Sequence, residues 1–438
     1  MAVPWLLALL EMSAARKLRV GVIGTGCIGI EHLNNLHLCP DVQITAVADC
    51  HAPSRKAALE CLQELGIADG VETHDDFATL LASEAVDAAV VCTPNDHHIE
   101  VLRTAFSAGK HLLIEKPLCT EIAACAEAEA RSATARAEAL AAGRSPPLHW
   151  CAMEYRYIPT IARLLEDARS GVIGDLRMLT IREHRFPFLR KVGDWNRFTR
   201  RTGGTLVEKC CHHFDLMRLI LDSEPVRFLG TGGQAINHRH EVYDGAVSDI
   251  LDNAYVLIEF ESGARACLEL CMFAEASKHQ EEVSLVGTRG KLEAFAPSHG
   301  VRTDDESVTN YIRGVRNPAF AEPDGWNRVD PPPPEECGEL SEAHIGVEAR
   351  LLEAGNHCGA TYVEVSRFAA AALAQAPPEV TLRDGSKAVL MGLAAHRSIE
   401  TGQPVLWSDM LAEFSAELEQ VSGGAQVSAA AAVPKQAP

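Results

Sequence analysis

Residues 18–29 read LRVGVIGTGCIG, an apolar run that leads directly into a glycine-rich turn. The run Leu18–Ile23 is typical of a buried parallel strand, and the sequence after it favours a helix. In a G-x-G-x-x-G turn, the first glycine makes the tight bend, the second lets a pyrophosphate approach the backbone, and the third allows close helix–strand packing. The segment therefore predicts a dinucleotide-binding turn. Its residues are Gly24, Gly26, Cys27, Ile28 and Gly29.

The alternation of strand and helix continues from this turn to about residue 150. Further segments typical of strands lie at Ile44–Ala48, Val86–Cys92, His111–Ile114 and Leu148–Met153. Segments that favour helices lie at Pro53–Leu65, Ile99–Ala108 and Thr120–Ala142. This order predicts an α/β fold, a Rossmann doubly wound parallel sheet with helices on both faces.

After about Tyr155 the pattern changes, because segments typical of strands follow one another with few helices between them. They lie at Arg177–Arg182, Ala254–Phe260, Ala264–Met272 and Glu282–Val286. This order predicts an α+β domain with a largely antiparallel open sheet. The expected division is an N-terminal extension (1–17), a dinucleotide-binding domain (18–150), a C-terminal α/β substrate and oligomerisation domain (151–408), and a tail (409–438). A Gly/Ala/Ser/Pro-rich composition predicts that the tail is largely disordered at its end.

Asp49 ends the second predicted strand, about 20 residues after the glycine turn. A carboxylate there accepts hydrogen bonds from a ribose 2′-hydroxyl and repels a 2′-phosphate, which favours NAD over NADP. Arg55 is close enough in sequence to neutralise a phosphate, so NADP is the alternative. An Asp that only forms a turn is a second alternative.

The composition narrows the classes of partner. The chain has 40 basic and 60 acidic side chains, a formal net charge of −20, which argues against nucleic acid and anionic membranes as partners. No apolar run is long enough to cross a bilayer. The 14 cysteines lack the spacing of a disulfide framework or a zinc site and predict reduced thiols in a cytoplasmic protein. The apolar segment Ala2–Leu10 predicts an extension, with a secretory signal as the alternative.

A set of short motifs carries a family resemblance. In addition to the glycine turn they are VCTPNDHH (91–98), AGKH (108–111), EKP (115–117), GGTLVEK (203–209), CCHHFD (210–215), VGTRG (286–290) and TLRDG (381–385). In combination they resemble the family of glucose–fructose oxidoreductase, inositol dehydrogenase and the rhizopine catabolism protein MocA, here the Gfo/Idh/MocA family. The resemblance extends from about Leu18 to Leu406.

The resemblance implies a Rossmann domain followed by an α/β domain whose open sheet often forms subunit contacts. It implies that a group of residues lies on the cofactor side, namely Thr93, Pro94, Asn95, His98 and Glu115. Lys116 and His212 match the two best-known active-site positions of the family. Where the family usually has Asp, four residues before the motif histidine, this chain has Glu208.

The residue types of this motif set suit alcohol oxidation. A histidine titrates near neutrality and can accept the hydroxyl proton, whereas a lysine stabilises the developing oxyanion. Lys116 follows a parallel strand, at the edge where such sheets bind ligands. If Thr205–Leu221 is one helix, Glu208, His212 and Asp215 share one face of it. Glu208 also fits a capping box with Thr205, so a purely structural role is its alternative.

Further candidates for substrate binding come from the start of the second domain. The segment 185–197 resembles a substrate-side loop of some family members, and its cations can bind hydroxyls or a carboxylate. The substrate-binding candidates are Arg156, Lys191, Trp195, Asn196 and Asp215. For Asp215 there are two alternatives to substrate binding: it orients His212, or it caps a loop. His357, in an Asn-His-Cys-Gly segment, matches another family feature. No metal site is predicted.

These observations favour an NAD(P)-dependent enzyme that moves a hydride between nicotinamide and a secondary hydroxyl of a sugar, cyclitol or related polyol. A non-catalytic NAD(P)-binding sensor is one alternative, and an NAD-dependent, redox-cycling glycoside hydrolase is another. We expect a homo-oligomer, a dimer or tetramer that associates through the C-terminal sheet.

Overall fold

The computed structural model describes residues 16–297, 308–316 and 338–431, and the predicted extension lies almost wholly outside them. Its first sheet has six strands, all paired in parallel, in the order β3-β2-β1-β4-β5-β6. They are β1 (Leu18–Ile23), β2 (Val42–Ala48), β3 (Glu72–His74), β4 (Ala88–Val91), β5 (His111–Ile114) and β6 (His149–Cys151). The predicted Rossmann sheet is therefore confirmed, and its strand order reverses between β1 and β4, where such sheets bind ligands.

Helices connect these strands and cover the sheet. They are α1 (Cys27–Leu38), α2 (Ala52–Glu64), α3 (Phe77–Ala82), α4 (His98–Ser107) and α5 (Ile122–Ala141). The side chains of the central strands are buried between them, as the apolar sequence of β1 and β4 requires. The edge strand β3 was not predicted, because the sequence Glu-Thr-His is polar and partly exposed.

The second sheet has nine strands in the order β16-β15-β14-β13-β7-β12-β11-β8-β17. They are β7 (Leu176–His184), β8 (Pro225–Gly233), β11 (Asn253–Phe260), β12 (Arg265–Cys271), β13 (His279–Gly287), β14 (Gly290–Pro297), β15 (Val308–Arg316), β16 (Gly338–Gly346) and β17 (Val405–Leu406). A separate hairpin pairs β9 (Val242–Tyr243) with β10 (Ala246–Val247). The pair β7–β12 is parallel and the other pairs are antiparallel, which confirms the predicted largely antiparallel sheet.

The helices of the second half are α6 (Pro159–Arg169), α7 (Thr199–Thr202), α8 (Thr205–Glu208), α9 (Cys211–Leu221), α10 (Ala349–Glu353), α11 (Ala360–Ala374), α12 (Leu382–Thr401) and α13 (Trp407–Ala431). Of these, α6, α9, α12 and α13 pack on this sheet, and α11, α12 and α13 contact the Rossmann half. Helix α11 packs on α1, and α13 packs on α5. No helix in the described ranges is long and apolar enough to cross a membrane.

One sequence-based expectation needs correction. The predicted helix 205–221 is two helices, because α8 ends at Glu208 and α9 begins at Cys211. The segment assigned to the tail (409–438) begins within α13, whose first turns are fixed to the fold by the buried Met410 and Phe414. Residues 432–438 lie outside the described ranges.

Candidate active site

The glycine turn between β1 and α1 leaves one side of the helix start open. Gly24 has a φ of +88°, and a Cβ there would lie 2.7 Å from the Cys92 backbone. A Cβ on Gly29 would lie 2.1 Å from the Gly24 carbonyl oxygen. A Cβ on Gly26 would meet no described atom within 4 Å. Gly24 and Gly29 are thus required by the packing of the protein, whereas Gly26 leaves room beside the α1 N-terminus, where a pyrophosphate binds.

The Asp49 carboxylate is fixed beside this turn. Its Oδ2 accepts a hydrogen bond from the Thr25 N–H at 2.8 Å, and its Oδ1 accepts one from the His51 N–H at 2.8 Å. Arg55 donates from Nη1 to the Asp49 backbone carbonyl at 2.6 Å. Both carboxylate oxygens thus accept hydrogen bonds from the local turn, as the turn-forming alternative expects, and the Arg55 guanidinium lies next to Asp49.

The loops after β4 and β5 contain the other predicted cofactor residues. The ring nitrogens of His98 lie 2.9 and 3.0 Å from the carbonyl oxygens of Pro117 and Thr93, so this side chain joins the two loops. Glu115 contacts His32 Nε2 at 2.7 Å and accepts the Lys116 N–H at 3.1 Å. Within the described chain, Thr93 Oγ1 and Asn95 Nδ2 are buried without a hydrogen-bond partner. Such unpaired groups fit a nicotinamide carboxamide, which needs both a donor and an acceptor.

Lys116 reaches from the end of β5 towards the second half of the chain. Its Nζ donates a hydrogen bond to the Glu208 carbonyl oxygen at 3.3 Å. Burial opposes the charged form, but Cys211 and the neighbouring Glu154, Glu115 and Glu208 hold the pKa of Lys116 above its ordinary value. Lys116 is therefore a fixed cation at the carboxyl edge of the sheet.

His212 lies in the first turn of α9 and is 1% exposed. Its ring stacks on Tyr155 with the centroids 4.1 Å apart, and its Nε2 lies 3.3 Å from Glu154 Oε1. Burial lowers the pKa of His212 to about 3, although Glu154 opposes the shift. No described residue hydrogen-bonds to Nδ1. The imidazole is therefore neutral and has a nitrogen free to accept a proton.

Glu208 ends α8 and is buried next to two lysines. Gly204 precedes α8 and makes no side-chain cap, while the Thr205 hydroxyl donates to the Leu251 carbonyl oxygen at 2.6 Å. The capping-box alternative is therefore wrong. Burial raises the pKa of Glu208, against the charges of Lys191 and Lys116. The Glu208 carboxyl group is thus close enough to both lysines to feel their charges.

The predicted substrate residues divide into two groups. Arg156 and Asp215 form a buried bidentate ion pair at 2.6 and 2.5 Å, so Asp215 orients Arg156 and not His212. Lys191 lies near Glu208, with its Nζ 5.1 Å from the centre of the Trp195 ring. Asn196 donates from Nδ2 to a backbone carbonyl. Of the five predicted substrate residues, only Lys191 and Trp195 thus lie in the same region as Lys116 and Glu208.

Sequence reasoning missed the acidic and aromatic neighbours of His212. Glu154 and Tyr155 follow β6 and so lie at the same carboxyl edge as Lys116, a position that could have identified them. Lys209 hydrogen-bonds to the Tyr155 hydroxyl and lies 2.8 Å from Glu183 Oε1. These contacts join distant segments, and no local spacing predicts them.

A buried acidic group lies beside Lys209. Among the described residues, potential metal-ligand atoms of Glu183, His213 and Glu281 lie within 4.8 Å of one another. The sequence spacing gave no sign of this group. The ammonium group of Lys209 contacts Glu183 and supplies positive charge there. The positive charge beside these carboxylates is therefore the Lys209 side chain.

Comparison with known proteins identifies the family of the chain. Residues 18–140 match the family model for the NAD-binding Rossmann fold of an oxidoreductase family, and residues 166–406 match the model for its C-terminal α/β domain. Fold and cofactor site thus define an NAD(P)-dependent oxidoreductase. The chain belongs to the Gfo/Idh/MocA oxidoreductase family.

Several individual proteins are similar to the chain. It is 24% identical to a myo-inositol 2-dehydrogenase of Thermotoga maritima, over 90% of this chain and 100% of that protein. It is 25% identical to an NAD⁺-dependent scyllo-inositol 2-dehydrogenase of Bacillus subtilis, over 63% of this chain and 73% of that protein. A levoglucosan dehydrogenase solved with NADH and levoglucosan superposes with a TM-score of 0.69 at 16% identity, covering 89% of this chain and 99% of that one. This last similarity shows the shared fold.

Proposed function

We propose that this enzyme oxidises a secondary hydroxyl of a sugar, cyclitol or related polyol, with NAD as the hydride acceptor. The observation that supports this most is the pairing of a cationic Lys116 with a neutral His212 at the sheet edge that carries the cofactor loops. The names of similar proteins, which act on inositols and levoglucosan, support the substrate class.

The protein side chains divide the work of the reaction. When bound, the nicotinamide supplies the hydride acceptor. Lys116 stabilises the negative charge that develops on the substrate oxygen, and its neighbouring carboxylates keep it protonated for this role. His212 takes the hydroxyl proton, because burial keeps its imidazole neutral. Glu208 and Lys191 flank Lys116 and bind substrate hydroxyls, as a carboxylate and an ammonium both can.

A substrate panel tests the proposal. Inositols, hexoses and dihydrodiols are incubated with NAD⁺ and with NADP⁺, and the absorbance of the reduced nicotinamide is followed. We expect reduced cofactor to accumulate in step with ketone product, with NAD⁺ preferred because of Asp49. Glycoside cleavage without accumulation of reduced cofactor would indicate redox cycling instead. Tight cofactor binding without any turnover would indicate a sensor.

The surroundings of the enzyme are part of the proposal. We infer a reducing, cytoplasmic compartment, because every described cysteine is a free thiol.

We also infer a homo-oligomer. The face of the second sheet opposite its helices exposes Leu229, Tyr255 and Leu257, which are 47%, 54% and 53% exposed. Apolar side chains grouped on one sheet face are typical of a subunit contact.

A further inference from the structure

A small, partly open cavity is lined in part by Lys116. Its volume is about 30 Å³, enough for one water molecule. Its walls are rich in titratable side chains, among them Glu31, Lys116, Glu154, His357 and Glu364. The cavity lies between Lys116, the proposed catalytic lysine, and a second histidine, His357. Because each buried charge costs solvation energy, so many titratable side chains around one cavity indicate a role beyond packing.

The contacts along one wall form a continuous series. His212 Nε2 lies 3.3 Å from Glu154 Oε1, and the same oxygen lies 3.7 Å from His357 Nε2. His357 Nδ1 lies 2.6 Å from Glu31 Oε1. The side-chain exposure rises along the series, from 1% at His212 and 6% at Glu154 to 25% at His357. His357 is therefore the member in contact with solvent.

A water molecule fits between Glu154 and His357 in this series. Glu154 Oε2 is buried and has no hydrogen-bond partner in the described parts of the chain. The gap of 3.7 Å between Glu154 and His357 is too long for a direct hydrogen bond. A water molecule in the cavity would satisfy the oxygen and bridge the gap.

We propose that His212, Glu154 and His357 conduct the substrate proton from the active site to solvent, an inference that rests on the proposed function. His212 accepts the hydroxyl proton at Nδ1 and gives its Nε2 proton to Glu154. Glu154 passes a proton through the cavity water to His357, and His357 releases one to solvent. No electrons move in these steps, and Glu154 and His357 return to their starting protonation states. His212 ends neutral with its proton on Nδ1, and a half-turn of the ring restores the free nitrogen on the substrate side before the next turnover. Glu31 holds the His357 ring in place.

The test removes the solvent end of the path. His357→Ala is assayed as the full chain with NAD⁺ and the polyol that the wild type oxidises best. We expect kcat to fall about 10-fold, less than for a group that touches the substrate, with KM little changed. Added imidazole should restore kcat of the variant but not raise that of the wild type, because it replaces the missing proton carrier. His357→Gln keeps a hydrogen-bonding group beside Glu31 and should show the same loss with an unchanged melting temperature.

The matched control is Thr361→Val. Thr361 donates a hydrogen bond to the same Glu31 oxygen at 3.0 Å, so its loss disturbs the support of His357 and removes no proton carrier. We expect no imidazole effect in this variant. Unchanged kcat in His357→Ala, or a loss that imidazole does not restore, overturns the path while the proposed function stands. A wild type that oxidises no polyol overturns the proposed function and the path together.

Discussion

Lys116 and His212 are both largely enclosed by protein, yet their surroundings drive them to opposite charge states. Burial disfavours the charged form of each. At Lys116 the neighbouring Cys211 and the carboxylates of Glu154, Glu115 and Glu208 outweigh burial, so its pKa is raised. At His212 the contribution of Glu154 is insufficient, and the pKa falls to about 3. The site thus contains a permanent cation and a neutral base, the two groups that alcohol oxidation requires.

The first prediction concerns these two side chains. Lys116→Ala and His212→Ala should each lower kcat by about 100- to 10,000-fold, the usual contribution of an acid–base or oxyanion group. NADH binding, measured by fluorescence titration, should persist because neither residue lies in the glycine turn. Lys56→Ala, at an exposed lysine of α2, is the control and should leave kcat unchanged. Near-normal turnover in either active-site variant would remove that residue from the mechanism.

A second prediction separates charge from packing at Glu208. Burial raises its pKa, so the folded state favours the protonated form, and the stability that this gives is lost as pH rises through the folded pKa. Glu208→Gln is neutral at every pH. It should therefore raise the melting temperature at neutral pH, and the gain should shrink as the pH is lowered.

The same variant should lower kcat/KM, because a carboxylate near Lys116 and Lys191 is lost. Glu208→Asp keeps the charge and is the matched control, with turnover closer to wild type. An equal gain in melting temperature at neutral and acidic pH would show that ionisation is not the cause.

At the level of elements, the strands with apolar sequences were predictable and the polar ones were not. The β1 and β4 segments are buried on both faces, so their composition alone identifies them. The edge strand β3 and the break after Glu208 have no local signature, because tertiary contacts determine both. Lys209, at the break, is held by Glu183 and Tyr155 from other elements.

The third prediction tests this break between α8 and α9. Lys209→Met should reduce the free energy of unfolding by about 3–5 kcal/mol, because the buried carboxylates of Glu183 and Glu281 lose the cation that contacts Glu183 at 2.8 Å and keep the longer contact of Arg185 at 3.4 Å. Urea denaturation measures the change. The control is Lys291→Met, which breaks a partly exposed pair with Glu293 and should cost less than about 1 kcal/mol. The double variant Lys209→Met/Glu183→Gln should recover part of the loss, and no recovery would argue against the charge explanation.

For the whole molecule, the open sheet face gives a prediction about assembly. Leu257 pairs with Leu229 on β8 and with Cys267 on β12, so a charge at this position lies in the middle of the face. Leu257→Glu should convert the oligomer to smaller species, measured by size-exclusion chromatography with light scattering. Leu140→Glu, at a 63%-exposed leucine of α5, should leave the assembly intact. A monomeric wild type would contradict the proposed contact.

The packing of α13 on α5 has a consequence for folding during translation. The Rossmann half emerges first and can form its parallel sheet early. The helix that covers α5, however, follows the entire mixed sheet in the chain, and Phe414 of α13 is 1% exposed in the finished fold. In the nascent chain, the surface of α5 that α13 later covers therefore stays exposed while more than 250 further residues are translated. During that interval α5 is a surface for a chaperone to shield.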